Sequence, residues 1–465
     1  MNNVLVRKFY FSNRSHFMSL KRTAKMLCTL NGIGCFTLIL FGSIPFYSAH
    51  GEGLKDAAAK VNMYFGAATD RPTSFTSILK NDFSMLVCEN AMKWDATERT
   101  DGSFSYNGGD AVVKFADSNN MKVRGHTFVW TPQTPSWVQS LNRQNMLAAM
   151  KDHILNLGGH WKGKILEWDV VNEMIADGGS GSLKNTYWRQ KIGDDFIDSA
   201  FVYAHQADPN AYLYINDYSA EGMNTKSNYL YNFVKGMKER GIPVHGVGLQ
   251  CHLTAPVSKD QISQNIKRFG ELGLRVSCTE IDIMNGTNSP SSWTNLVQAC
   301  VENFNVTSFV VWGVSDANSW RGSGCNCLIW DKSGQVKTDV YNAIKTAFAN
   351  GDPAIAEKRR AFAGLSPVEL QRKGKAGGGE RRGVPRFTIS NNILSYYLPV
   401  AQNVQVFIID IQGRTAIYLD LGMQTSGTHT VCLARRKFPA GLYFAKIRAG
   451  DRLLYVPFTQ SPGAG

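Results

Sequence analysis

The 465-residue chain has a single long uncharged run, Met26 to Ala49, and no second one. Everything after Ala49 is interrupted too often by charges or turn residues to cross a bilayer core of about 30 Å, so the remainder is expected to be soluble. No internal repeat is visible. Cysteine is sparse and odd in its distribution. Of nine residues, Cys28 and Cys35 fall in the N-terminal run, leaving Cys88, Cys251, Cys278, Cys300, Cys325, Cys327 and Cys432. Seven thiols cannot all pair, and Cys88, Cys251 and Cys278 stand in strand-like runs where a free thiol acts as a small hydrophobe. Cys325-Asn326-Cys327 is expected to be too tight for a relaxed disulfide between its own members and lacks the second half of a zinc site, so neither a metal nor a cofactor is expected. Acid is missing from residues 1–50, which carry six Lys/Arg, and is outnumbered in 351–465, with seven Asp/Glu against sixteen Lys/Arg. The overall charge of +13 is therefore terminal, and 51–350 is left at −2. A near-neutral middle excludes a core built to follow nucleic acid.

What is present divides the chain into four. Lys21, Arg22 and Lys25 precede the apolar run and Ser48-Ala49 end it, the pattern of a secretory signal peptide over 1–50. The segment before Lys21 is long for such a signal, which makes Met18 a second candidate start, and a retained single-span anchor is the alternative. Over 51–350, strand-like runs alternate with helical spacing. The strands are expected near Tyr64–Ala67, Met85–Glu89, Val123–Trp130, Ile165–Asn172, Ala211–Asn216, Gly246–His252, Arg275–Ile281 and Thr307–Trp312. The intervening helices are expected over Gly109–Asp117, Asn145–Asn156, Asp194–His205, Ser227–Arg240, Gln261–Leu272 and Ser292–Phe304, with Tyr341–Phe348 closing the unit. Strand and helix in strict alternation read as an α/β fold, a (β/α)8 TIM barrel. Residues 351–385, glycine-rich and charged around Lys373-Gly374-Lys375, read as a linker. From 386 to 465 short β-runs with turn signals, among them the Gln412-Gly413-Arg414 turn, suggest a small all-β sandwich.

Two glutamates close apolar strands, Glu173 after Trp168-Asp169-Val170-Val171-Asn172 and Glu280 after Val276-Ser277-Cys278-Thr279. A carboxylate at the end of a buried strand is costly unless it is hydrogen-bonded or used. In a parallel barrel both would reach one mouth, where the other polar and aromatic strand ends also gather. Cleavage of a glycosidic bond needs such a pair: one carboxyl protonates the departing oxygen while the other attacks, or activates water, on the opposite face of the sugar.

Residues 55 to 350 resemble glycoside hydrolase family 10, the retaining endo-β-1,4-xylanases. The resemblance rests on Glu-Asn-Ala-Met-Lys-Trp-Asp from Glu89, Gly-His-Thr-Phe-Val-Trp from Gly125, Trp-Asp-Val-Val-Asn-Glu from Trp168, Ile-Asn-Asp-Tyr from Ile215, Gln-Cys-His-Leu from Gln250 and Thr-Glu-Ile-Asp from Thr279. It implies that Glu173 is the acid/base and Glu280 the nucleophile, supported by His252, Asp282 and Gln250. It further implies that Asn172 bonds the sugar 2-hydroxyl. Glu89, Asn90, Lys93, His126 and Gln133 would bind glycone sugars between Trp130, Trp312 and Trp320, and Tyr218 would serve the leaving-group side. The substrate would be xylan, handled by a monomer. Thr131 departs from the family's usual His, and the segments after Glu280 and Trp320 are shorter than usual. A barrel β-1,4-glucanase, or a non-catalytic surface glycan-binding protein, are the rival readings. The C-terminal region, with Val-Phe-Ile-Ile-Asp-Ile-Gln-Gly-Arg from Val406 and Ala-Gly-Leu-Tyr-Phe-Ala-Lys-Ile from Ala440, resembles type IX secretion sorting domains. That implies an encounter with secretion machinery and a secreted or cell-surface location.

Overall fold

The computed structural model describes residues 52–465 apart from 179–180, 255, 285–287, 368–369, 371–385, 391–392, 411–414, 434–440, 451 and 461–465. The expected signal peptide, the glycine-rich part of the linker and the Gln412-Gly413-Arg414 turn lie outside the described residues. No helix among the described residues is long and apolar enough to cross a membrane.

The strands of the first unit are β1 (Tyr64–Ala68), β2 (Met85–Val87), β3 (Lys122–Val129), β4 (Glu167–Asn172), β5 (Tyr212–Asp217), β6 (Gly246–Leu249), the two-residue β7 (His252–Leu253), β8 (Arg275–Ile283) and β9 (Val306–Val311). Neighbours pair in parallel, and the pairings β6–β8 and β1–β9 close an eight-stranded barrel, with β7 added to β8 at the mouth. Its strands are buried along almost their whole length, as expected where helices cover one face and the barrel interior lies on the other. Two glycines let the wall come together. A Cβ on Gly125 would lie 2.2 Å from the Trp168 ring, and one on Gly246 would lie 2.3 Å from the Tyr214 ring. All eight expected strands and all seven expected helices are present, with ends displaced by a few residues. Short helices such as Leu54–Lys60, Thr76–Asp82 and Tyr187–Ile192 escaped the periodicity because each holds two turns or fewer.

Beneath the mouth the interior is polar. Arg124 donates to Glu167 and Asp169, Ser277 Oγ donates to Glu167 Oε2 at 3.1 Å, and Ser308 Oγ reaches Ser277 Oγ at 2.7 Å. Burial alone would weaken the Arg124 charge, but the two carboxylates outweigh it and raise its pKa.

The stretch expected to be linker from residue 351 begins instead with a helix, Pro353–Ala363, which has Pro at its start and Asp352 Oδ1 accepting from Ala354 N at 2.8 Å. Arg359 on this helix is fully buried and donates to the backbone carbonyls of Val61, Cys300, Val301 and Asn303. It thereby satisfies carbonyls left over at helix ends. Further along, a three-stranded antiparallel sheet (Arg386–Ser390, Ile393–Leu398, Gly427–Cys432) accompanies a four-stranded one (Thr415–Gln424, Gln402–Asp410, Gly441–Ala449, Arg452–Gln460). Leu394, Leu398, Val406, Ile408 and Ile447 form their shared core, separate from that of the barrel.

A chain ending at Phe348 should therefore unfold at lower urea concentration than one ending at Ser366. Arg359→Met should destabilise the longer chain by about 3 kcal/mol, because several buried carbonyls lose their donor. Equilibrium denaturation of the three proteins checks this.

Candidate active site

Most residues expected in the site lie on barrel strands or just after them, while Gln133 and Trp320 lie on the loops beyond β3 and β9. Glu173 follows β4 in the left-handed region, at φ +58°, an uncommon conformation for a non-glycine residue. Its N–H is taken up by Asn216 O at 2.8 Å, so the turn that exposes this side chain is hydrogen-bonded to the next strand. Glu280, within β8, is only 4% exposed. Its Oε1 accepts from Asn216 Nδ2 at 2.6 Å and its Oε2 from His252 Nε2 at 3.2 Å.

One amide oxygen links the two carboxyls. Asn172 Oδ1 accepts from Asn216 Nδ2 at 3.0 Å and from Gln250 Nε2 at 3.1 Å; Gln250 Nε2 also reaches Glu173 Oε1 at 3.3 Å. The row Glu173–Gln250–Asn172–Asn216–Glu280 thus joins four strands, β4, β5, β6 and β8. Gln250, expected beside the nucleophile, meets both carboxyls by different atoms. Its side chain serves Glu173 and Asn172, and only its backbone carbonyl meets the nucleophile strand, accepting from Glu280 N at 3.0 Å. The reason is register: Gln250 follows β6 beside Asp217, whose carbonyl takes its N–H, and this aims the amide across β5 toward β4.

His252 is held at both nitrogens, by Glu280 and, through Nδ1, by Asp282 Oδ2 at 2.8 Å. Burial pulls its pKa down, but the hydrogen bonds and charges of the two carboxylates raise it to about 9. The imidazole is therefore a cation at neutral pH. Opposite it, His126 Nδ1 bonds Asp169 Oδ2 at 3.0 Å and lies 3.9 Å from Glu280 Oε1. Burial would raise the Asp169 pKa, but Arg124 and His126 outweigh it and hold it low.

The aromatic walls lie around this centre. The Trp312 ring meets His126 edge to face at 5.1 Å, and Trp320, 56% exposed, donates through Nε1 to Asp282 Oδ2 at 2.9 Å. Lys93 Nζ bonds Asn90 Oδ1 at 3.0 Å and stands 4.5 Å above the Trp130 ring, with its pKa lowered by burial. Glu89 is half-buried and its pKa is raised by burial and by Asp70. Gln133, the last expected glycone residue, meets the Lys93 segment through its backbone, its carbonyl accepting from Asp95 N at 3.2 Å. On the other side of Glu173, Tyr218 donates its hydroxyl to Asp177, receives Lys184 Nζ at 3.1 Å and carries Lys226 Nζ 3.6 Å from its ring. These residues border a cavity of about 420 Å³ lined by Asp177, Ser219, Asn224 and Lys226.

Several participants were not among the expected residues: Asn216, Thr279 (whose Oγ1 donates to Asn216 Oδ1 at 2.7 Å), Asp169, Arg124 and Arg321. Asn216 carried a usable signal, a polar residue ending an apolar strand. The sulfurs of Cys325 and Cys327 are bonded to one another across the single residue Asn326. The loop brings their Cα atoms to 5.2 Å, within the span a disulfide requires.

A closed parallel barrel with two carboxylates in one aromatic-walled mouth defines a glycoside hydrolase. The family model "Glycosyl hydrolase family 10" matches residues 53–347, and the chain belongs to that family. It is 31% identical over 340 residues to endo-1,4-beta-xylanase B of Thermotoga neapolitana, spanning 68% of this chain and 97% of that protein. It is 37% identical over 304 residues to exoglucanase XynX of Acetivibrio thermocellus, covering 60% of this chain but 27% of that longer protein. The solved structure of xylanase 10B from Thermotoga petrophila RKU-1 in complex with xylobiose superposes with a TM-score of 0.61 at 32% identity, over 64% of this chain and 97% of that one.

The His252 cation has a consequence for stability. Its folded pKa of about 9 exceeds the ordinary 6.5, so the proton it holds stabilises the fold fully below about pH 6.5. That contribution, on the order of 3 kcal/mol, is lost as pH rises through 9. Urea unfolding at pH 6 and pH 10 should show the loss in the native sequence and a flatter profile in His252→Gln.

Proposed function

We propose that this protein is an endo-1,4-β-xylanase that cleaves internal xylosidic bonds with retention of configuration. The observation that carries the reading is the unequal setting of the two carboxyls. Glu280 is buried and accepts from Asn216 and His252, donors that favour the charged form a nucleophile needs. Glu173 is half-buried and receives one amide at 3.3 Å, as suits a group that must take and give a proton. In the first step Glu280 attacks the anomeric carbon while Glu173 passes its proton to the departing oxygen, leaving a glycosyl ester. In the second, Glu173 takes a proton from water, the water oxygen bonds the anomeric carbon, and Glu280 leaves as carboxylate. The names of the family-10 relatives support xylan as substrate. Lys93 and Asn90, bonded to each other beside Trp130, favour a pentose if a glucose hydroxymethyl group projects toward them as the family resemblance implies. The exoglucanase relative makes cellulose the competing substrate.

Release of reducing ends from xylan and from cellulose, measured side by side, tests the substrate. Glu280→Ala should abolish turnover of xylan and of aryl β-xylosides alike. Glu173→Ala should still be glycosylated by an aryl xyloside, accumulate the ester and recover turnover with azide to give a β-configured product. A β-azide from the Glu280 variant instead would reverse the two roles.

We also propose, on the N-terminal signal pattern and the sandwich after residue 386, that the enzyme is exported and that the sandwich directs sorting. In the native host a chain ending at Ser366 should then retain activity but stay in the periplasm. Normal export with weakened binding to insoluble xylan would make the sandwich a glycan binder.

A further inference from the structure

Glu280 lies between two rows of side chains with the same chemical order. In one, Arg124 Nε donates to Asp169 Oδ2 at 3.1 Å, the same oxygen meets His126 Nδ1, and that nitrogen stands 3.9 Å from Glu280 Oε1, beyond hydrogen-bond distance. In the other, Arg321 Nε donates to Asp282 Oδ1 at 2.6 Å, Asp282 Oδ2 meets His252 Nδ1, and His252 Nε2 bonds Glu280 Oε2. The first row is rooted in the barrel interior. The second ends in the rim loop after β9, since Arg321 follows the exposed Trp320 and its guanidinium stands 4.7 Å above that ring. The same loop is tied down by Asp316, whose Oδ1 accepts from Cys327 N and Leu328 N and whose Oδ2 pairs with Lys337, and by Cys327 O, which accepts from Ile283 N on β8.

We infer that Arg321 is a positioning residue for the nucleophile, acting through Asp282 and His252, so that the seating of the rim loop and the alignment of Glu280 are one event. The inference rests on the reading of Glu280 as nucleophile. Asp282 is fully buried and has two oxygens to satisfy. Arg321 takes one, while His252 and Trp320 Nε1 share the other, so the carboxylate plane is set from both sides and the imidazole is held edge-on to Glu280. Arg321 also shares the Asp282 charge. Without it the full negative charge falls on His252, which then holds its proton more tightly and lowers the electron density that Glu280 can offer the anomeric carbon. The charged groups around His252 are Glu280 and Asp282 on β8, Arg321 on the rim loop and Glu221 after β5, which is itself occupied by Cys251 N at 2.9 Å.

The test compares the full chain with Arg321→Met, Arg321→Lys, Asp282→Asn and the Arg321→Met/Asp282→Asn double variant. Outer partners of functional side chains commonly matter by roughly ten- to a hundredfold. Arg321→Met should accordingly lose at least about tenfold in kcat on an aryl β-xyloside with KM within about twofold, and Arg321→Lys should recover part of the loss. In the Asp282→Asn background the Arg321 change should add less than about twofold, because the path is already cut. The His252 imidazole, followed by NMR and assigned by its absence in His252→Gln, should titrate at higher pH in Arg321→Met than in the native sequence. Additive losses with an unmoved His252 titration, or a loss confined to KM, would overturn the inference and leave Arg321 as a wall of the cleft. Should Arg321→Met fail to fold, Arg321→Gln carries the same test, since it also removes the charge. The NMR titration needs no turnover. A native chain inactive on xylan whose His252 still responds to Arg321 would therefore sink the proposed function and leave this inference standing.

Discussion

The cleft depends on one buried negative charge, the carboxylate of Glu280. A carboxylate removed from water loses a hydration energy that only fixed donors and nearby cations restore. Here Asn216 and His252 supply the direct donors, and neither is free to turn. Asn216 is gripped by Thr279 at its oxygen and by Asn172 at its nitrogen, while His252 is gripped by Asp282. Those partners are charged or polar and buried in their turn, so each requires a partner of its own. The requirement spreads outward until it ends at Arg321 at the rim.

Barrel geometry makes such a network affordable to the fold. Side chains at the ends of parallel strands converge on one face, and residues remote in sequence meet without long excursions of the chain. The cost appears in the backbone just past the strands. Glu173, Ser219 and Cys251 all have positive φ, near 58°, 53° and 60°, where non-glycine residues carry strain of order 1 kcal/mol or more. Glu173 and Cys251 each have their N–H taken up, by Asn216 O and by Glu221 Oε1, so local hydrogen bonding compensates the conformation that turns their neighbours into the mouth.

The barrel was legible in the sequence because its strands are short apolar runs separated by helical spacing, and that alternation needs no tertiary knowledge. Glu173, Glu280 and the aromatic strand ends were legible for a related reason: a charge or a tryptophan closing an apolar strand stands out against its surroundings. Arg321 and Arg124 were not, since an arginine in a loop or beside an apolar run looks like any solvated charge until its partner is seen. Arg359 was hidden for the same reason, and with it the helix that carries it. The direction of the Gln250 side chain depends on inter-strand register, which no local pattern reports. The Cys325–Cys327 bond depends on how the loop folds back on Asp316, again a matter of tertiary packing.

The two glutamates are the same residue type at the same kind of position, so any difference in their roles must come from what surrounds them. Glu280 meets a cationic imidazole and a fixed amide, with a second histidine 3.9 Å away, and is almost wholly out of water. Glu173 has only the longer contact from Gln250, whose amide is shared with Asn172. The Gln250–Asn172–Asn216 row then has a second effect: any movement of charge at one carboxyl is felt at the other through hydrogen-bonded amides held by three adjacent strands. On the proposed mechanism Glu280 gives up its charge to an ester, and the group that donates a proton in the first step accepts one in the second, with both carboxyls held by the same row of amides.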